Sequence, residues 1–162
     1  MEKQKTLVAY FSCSGYTKKV AKSLSEVVGG ELYEITPATP YTSSDLNWND
    51  PNSRSSIEMK DKSSRPAISG KIDDFGSYNV VYIGFPIWWY IAPTIINTFL
   101  ESYDFSGKRV IPFCTSGSSG VGQTDRYLQS SCSKQTKWYP AKRFPTNVDK
   151  NTLAAWVDSL NL

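Results

Sequence analysis

Short apolar runs alternating with helical patterns constrain this chain more than any other feature of its sequence. Thr6–Phe11, Asn79–Gly84 and Arg109–Cys114 are near-continuous apolar stretches, lacking the strict alternation of a strand wetted on one face. Glu31–Ile35 reads as a further strand, and a weak fifth lies within Lys137–Phe144, disturbed by Pro140. Between them, Val20, Ala21, Leu24, Val27 and Val28 fall on one helical face that Gly29-Gly30 ends. Pro93 opens another helix with Ile95, Ile96, Phe99 and Leu100; a third passes through Tyr127 and Leu128. Leu153, Ala154, Trp156, Val157 and Leu160 form the stripe of a last one. Strand and helix in turn, with strands apolar on both sides, predict a parallel sheet covered on both faces.

A chain of 162 residues with 40% hydrophobic content is expected to form a single domain spanning 1–162. From Thr36 to about Gly70 the sequence is polar, rich in Ser, Asn, Asp and Pro, with a hint of periodicity only at Ile57–Lys62. This segment of about 36–70 is expected to be a surface excursion able to fold over a ligand. Eighteen basic against fifteen acidic residues leave a net charge of +3 with no cluster, so no nucleic-acid partner is expected. The chain has no histidine, which excludes hydrolytic chemistry of the nucleophile–His kind and removes the commonest metal ligand. Cys13, Cys114 and Cys132 are odd in number and far apart, so neither a disulfide framework nor a thiolate zinc site is indicated, and a reducing cytoplasm is the expected location.

Two stretches resemble membrane signals and are read otherwise. The apolar run before Cys13 is too short for a signal-peptide core, carries bulky Tyr10 and Phe11, and leads straight into a helical pattern. Phe75 to Leu100 is uncharged and long enough to span a bilayer, but Gly84, Pro86 and Pro93 divide it into strand, loop and helix. No membrane association is expected.

The loops after strands one, three and four carry the chemistry. Ser12-Cys13-Ser14-Gly15-Tyr16-Thr17 turns directly into a helix, which aims hydroxyls, backbone N–H groups and the positive end of a helix dipole at one point suited to phosphate. An ordinary capped strand-to-helix connection is the plainer reading. Phe85-Pro86-Ile87-Trp88-Trp89-Tyr90 suits stacking on a flat ring, although both indoles could serve packing. Neighbouring residues cannot both face one packed side, so at least one should turn outward or toward a cleft. Thr115-Ser116-Gly117-Ser118-Ser119-Gly120-Val121-Gly122 has little bulk to block backbone approach, and could equally be a flexible turn. Ligands of open parallel sheets bind at the carboxyl ends of the strands where strand order reverses. Three such loops at one edge describe a phosphorylated aromatic ligand.

The motifs Tyr10-Phe11-Ser12-Cys13-Ser14-Gly15-Tyr16-Thr17-Lys18, Gly84-Phe85-Pro86-Ile87-Trp88-Trp89, Thr98-Phe99-Leu100-Glu101, Phe105-Ser106-Gly107-Lys108 and Pro112-Phe113-Cys114-Thr115-Ser116-Gly117-Ser118-Ser119-Gly120 occur in that order. In them the chain resembles the flavodoxin-like proteins, most closely the bacterial branch with Pro-Ile-Trp-Trp after strand three, from Thr6 to about Leu160. The resemblance implies a flavodoxin-like three-layer α/β sandwich, a five-stranded parallel sheet in order 2-1-3-4-5 with helices on both faces. It implies FMN as cofactor, with Ser12, Ser14, Gly15 and Thr17 around the 5′-phosphate and Tyr16 where many relatives carry Asn. Trp88 or Trp89 then flanks the isoalloxazine, Pro86 and Ile87 shape its approach, and Thr115, Ser116, Gly117, Ser118 and Gly120 lend backbone contacts. The chemistry is the flavin's, and no side chain is assigned a catalytic role.

Neighbouring families fit the residues less well. A tyrosine phosphatase of low molecular weight needs the pattern C-x5-R, and counting from Cys13 that arginine position holds Lys19. A response-regulator receiver needs acidic residues after strand one, where Phe11-Ser12-Cys13 supplies none. Cys13 is either a redox-sensitive thiol at a helix N-terminus or a small residue packed behind the loop. Lys18 and Lys19 either offset phosphate charge or form a solvated face. The expected function is an FMN-dependent electron-transfer protein or oxidoreductase, serving a redox partner protein or a small-molecule acceptor. The mildly basic charge differs from that of strongly acidic electron shuttles and adds weight to an NAD(P)H-dependent reductase of quinones or dyes, with a redox-sensing flavin module as a third class.

Overall fold

The computed structural model describes residues 5–13, 15–89, 91–116 and 120–162. The main sheet is built on β1 (Thr6–Tyr10), β2 (Glu31–Glu34), β5 (Val80–Pro86) and β6 (Arg109–Thr115), in the order β2-β1-β5-β6 and parallel throughout. Alternate residues of each buried strand serve opposite faces, as the pleat requires. Leu7, Ala9, Val81, Ile83, Phe85 and Cys114 join one core cluster, which the helix α3 (Thr94–Glu101) covers with Ile95, Ile96, Phe99 and Leu100. Val8, Tyr10, Val80, Tyr82, Ile111 and Phe113 join the other, covered by Val20, Ala21 and Leu24 of α1 (Tyr16–Val28) and by Leu153 of α5 (Lys150–Ser159). The helix α4 (Thr124–Gln129) sits on the α3 side through Leu128, and Asn97 of α3 donates from Nδ2 to the Tyr127 carbonyl at 3.0 Å. The result is the three-layer sandwich expected.

The fifth strand departs from its expected form. It is split into β7 (Lys137–Trp138) and β8 (Lys142–Phe144), both parallel to β6, so six strands make up the sheet. Val110 faces Trp138 and Phe113 faces Lys142, which leaves two residues of β6 opposite three on the edge, one more than a regular ladder holds. The cause is local. Tyr139 still donates its N–H to the Val110 carbonyl at 3.0 Å, Pro140 has no N–H to give, and Ala141 turns its own to the Asp125 carboxylate at 3.1 Å.

The excursion folds into elements of its own. Its ends are clamped by an antiparallel pair, β3 (Thr36–Pro37) with β4 (Ile68–Ser69), and between them lies α2 (Arg54–Lys60). The helix begins three residues before the periodicity suggests, because Ser53 caps it by accepting the Ser56 N–H. Its buried side is mostly polar: Ser55, Ser56 and Met59, while Ile57 is exposed. Among the described residues no helix is long and apolar enough to cross a membrane.

Candidate functional site

Parallel pairing sends the loops after β1, β5 and β6 to the same end of the sheet, and Thr115 ties the three together. Its hydroxyl shares a hydrogen bond of 2.7 Å with the Thr17 hydroxyl at the start of α1, and both residues are buried. Its carbonyl accepts the Ile87 N–H at 3.3 Å from the loop after β5. Thr17 therefore bridges the first and third loops with its hydroxyl as well as standing in the first.

The first loop leaves α1 open at its positive end. Gly15 is the cap residue at φ +92°, a conformation that β-branched side chains avoid, and its N–H donates to Ser12 Oγ at 3.1 Å. Whereas α2 and α5 are capped by Ser53 and Asp149, among the described residues no side chain caps α1 and no acidic residue lies in its first turn. A Cβ at Gly15 would meet no atom of the described residues within 4 Å beyond its chain neighbours. An uncapped helix of 13 residues with open space at its N-terminus is a fit for an anionic group. Tyr16 is exposed at the helix start, and Ser14 lies outside the described residues.

The loop after β5 resolves its two indoles. Trp88 is half-buried and packs edge-on against Phe11 and Tyr41, with ring centroids 5.8 and 5.6 Å away. A tight turn follows, with Trp88 N–H donating to the Ile91 carbonyl at 2.9 Å and Ile91 N–H returning to Trp88 at 3.2 Å. Trp89 rides on that turn at φ +49°, a left-handed conformation unfavourable for a bulky residue, and is exposed. The strain is maintained where an indole is presented outward. Pro86 ends β5 opposite Thr115, and Ile87 packs at the rim of the core.

In the third loop, Ser116 is held by a residue that the sequence did not single out. Arg143 on β8 donates from Nε to Ser116 Oγ at 2.9 Å and from Nη2 to its carbonyl at 2.8 Å. A basic residue on the strand next to β6 was the available signal, hidden by the uncertain course of that strand. Gly120 is exposed; Gly117 and Ser118 lie outside the described residues.

The excursion reaches this end of the sheet too. Tyr41 contacts Phe11 and Trp88, its hydroxyl bonds Glu58 at 2.5 Å, and Arg54 lies 3.8 Å over its ring while pairing with Glu58 at 3.0 Å. Cys13 is exposed rather than packed behind its loop. Desolvation nonetheless pushes its thiol up to about 12, with Arg54 lowering and Glu58 raising it. Beyond Trp89 a cavity of about 400 Å³ opens between the loop and the excursion.

The chain matches the flavodoxin family over residues 5–160. A candidate flavoprotein from Bacteroides eggerthii is 45% identical, with 99% of each chain covered and a TM-score of 0.91. Another from Bacteroides uniformis is 47% identical, covering 97% of this chain and 99% of its own, with a TM-score of 0.90. A flavoprotein from Lactobacillus acidophilus, solved in complex with FMN, is 23% identical over 96% of this chain and 99% of its own and shares the fold, with a TM-score of 0.69. No significant match was found among curated proteins. With sheet order, loop placement and near-complete coverage in agreement, the chain belongs to the flavodoxin family.

Proposed function

We propose that this protein binds FMN and works as a redox protein, passing electrons to a partner protein or a small-molecule acceptor. The observation that carries the reading is the junction at Thr115, where hydroxyl and carbonyl join the loop at the α1 N-terminus to the loop that presents Trp89. A phosphate seated on the uncapped first turn of α1 leaves the ring of the same molecule between the second and third loops. Ser12, Ser14, Gly15, Tyr16 and Thr17 form the phosphate end. Pro86, Ile87, Trp88 and Trp89 form the ring side, with Thr115, Ser116 and Gly120 on the third loop; Gly117 and Ser118 are assigned to the same role from the sequence alone. Trp89, the outward indole, is the one we assign to ring contact, while Trp88 packs on Phe11 and Tyr41. When bound, FMN supplies reversible one- and two-electron chemistry; the chain binds it, orients it and limits water around it.

Purified protein should bind FMN at one site with quenching of tryptophan emission, and riboflavin, lacking the phosphate, should bind much more weakly. Equal affinity for the two rejects the phosphate assignment of the first loop.

The finer reading is a reductase that uses NAD(P)H directly to reduce quinones or dyes, supported by a net charge of +3 that gives little steering toward basic protein partners. Anaerobic mixing of the FMN-loaded protein with NADH and with NADPH should then bleach the flavin band. No bleaching with either leaves electron delivery by a separate protein.

A further inference from the structure

We propose that the cavity beyond Trp89 is a second binding site, taking a planar aromatic molecule that carries a negative charge. It measures about 400 Å³, within the range of small-molecule pockets. Trp89 lines one side, and the other described lining residues come from the excursion, among them Trp48, Pro51, Met59, Lys60 and Lys62. Among the described residues, none of the first or third loop lines it, which sets it apart from the phosphate seat.

Two features define the occupant. Trp48 is 70% exposed and Trp89 43%, both line the cavity, and neither makes a ring contact with any described aromatic residue, so each indole has surface there to offer a flat partner. Met59 adds a soft, polarizable group to the lining. The charge is equally one-sided. Among the described residues no carboxylate lines the cavity, and neither Lys60 nor Lys62 is in an ion pair.

Both ammonium groups are nevertheless tethered to the wall, and that of Lys62 also lies 5.7 Å from the Tyr127 ring centroid. Lys60 Nζ donates to the Pro51 carbonyl at 3.1 Å and Lys62 Nζ to the Met59 carbonyl at 3.0 Å, and both acceptors belong to residues of the cavity wall. An ammonium has three donors, so each lysine keeps N–H groups for an anion. Open indoles with cations anchored beside them select a ring bearing a carboxylate or sulfonate, and Trp89 places that ring next to the loop assigned above to the flavin. The use of the site as the seat of a second redox substrate rests on the FMN reading; binding itself does not.

The test is calorimetric titration of anthraquinone-2-sulfonate, and of neutral 2-(hydroxymethyl)anthraquinone, into the protein with and without saturating FMN. One equivalent of sulfonate should bind in both conditions. Lys60→Gln with Lys62→Gln should weaken the sulfonate by about ten-fold or more, the loss of a charge-assisted hydrogen bond, and leave the neutral analogue unchanged. Trp48→Ala, at an exposed position, should weaken both probes. FMN affinity should hold in every variant. Sulfonate binding that survives the lysine pair, that is absent from the parent, or that displaces FMN one for one overturns the proposal. A parent that takes the sulfonate but not FMN instead refutes the cofactor reading and leaves the second site standing.

Discussion

Two glycines show how single residues set this site. A Cβ at Gly84 would lie 2.2 Å from Cζ of Phe113 on the neighbouring strand, a ring fully buried with nowhere to retreat. Gly84→Ala should therefore destabilise the fold by about 1–3 kcal/mol, the usual cost of overpacking, read as a lower urea midpoint. Adding Phe113→Leu should recover part of it, and additive losses would show that the ring is not the obstacle. Gly15 has open space around it but a positive φ, so Gly15→Val meets backbone strain of about 1–3 kcal/mol instead. Because that strain falls on the first loop, most FMN affinity should disappear while the far-ultraviolet dichroism of the sheet persists. Wild-type affinity would place the phosphate elsewhere.

At the scale of elements, the excursion is a helix held by side chains rather than by its own sequence. Glu58 accepts from Tyr41 and from Arg54, so Glu58→Ala removes bonds to a charged group worth about 1.5–3 kcal/mol. Amide exchange over 54–60 should speed up by roughly ten- to hundred-fold, while β1, β5 and β6 stay protected. Uniform acceleration across the chain would mean that α2 is part of the global folding unit. The same contrast explains what could be read in advance. β1, β5 and β6 are buried on both faces, so their apolar runs announced them, and Gly29 at φ +65° stopped α1 where expected. In α2, Ser55 and Ser56 are buried and Ile57 faces water, which inverts the pattern that periodicity looks for. Trp88 and Trp89 were recognisable as a divergent pair, but their assignment needed the positive φ of Trp89. Arg143 and the lysines of the cavity depend on contacts across the chain and were out of reach.

The whole molecule has an unusual titration profile. Without histidine, few groups change charge near neutrality. Lys150, Arg65 and the Thr152 hydroxyl hold the carboxyls of Glu26, Glu101 and Asp149 below the ordinary range, which adds stability above that range and loses it as pH falls through the depressed values. Desolvation pushes all three thiols up to about 12 from an ordinary value near 9, so stability held below pH 9 drains away as pH rises toward 12. The urea midpoint should be flat from roughly pH 5 to 8 and fall on both sides. A slope inside that window would expose an ionisation that none of these groups supplies. The gap between β7 and β8 also governs how copies of this protein behave at high concentration. A parallel sheet invites a neighbour's strand onto its rim, but here the outer row of donors is broken at Pro140, and the opposite rim, β2, is four residues long with a glutamate at each end. Neither rim offers a template for sheet-to-sheet growth, so crowded molecules should remain apart rather than polymerise through their edges.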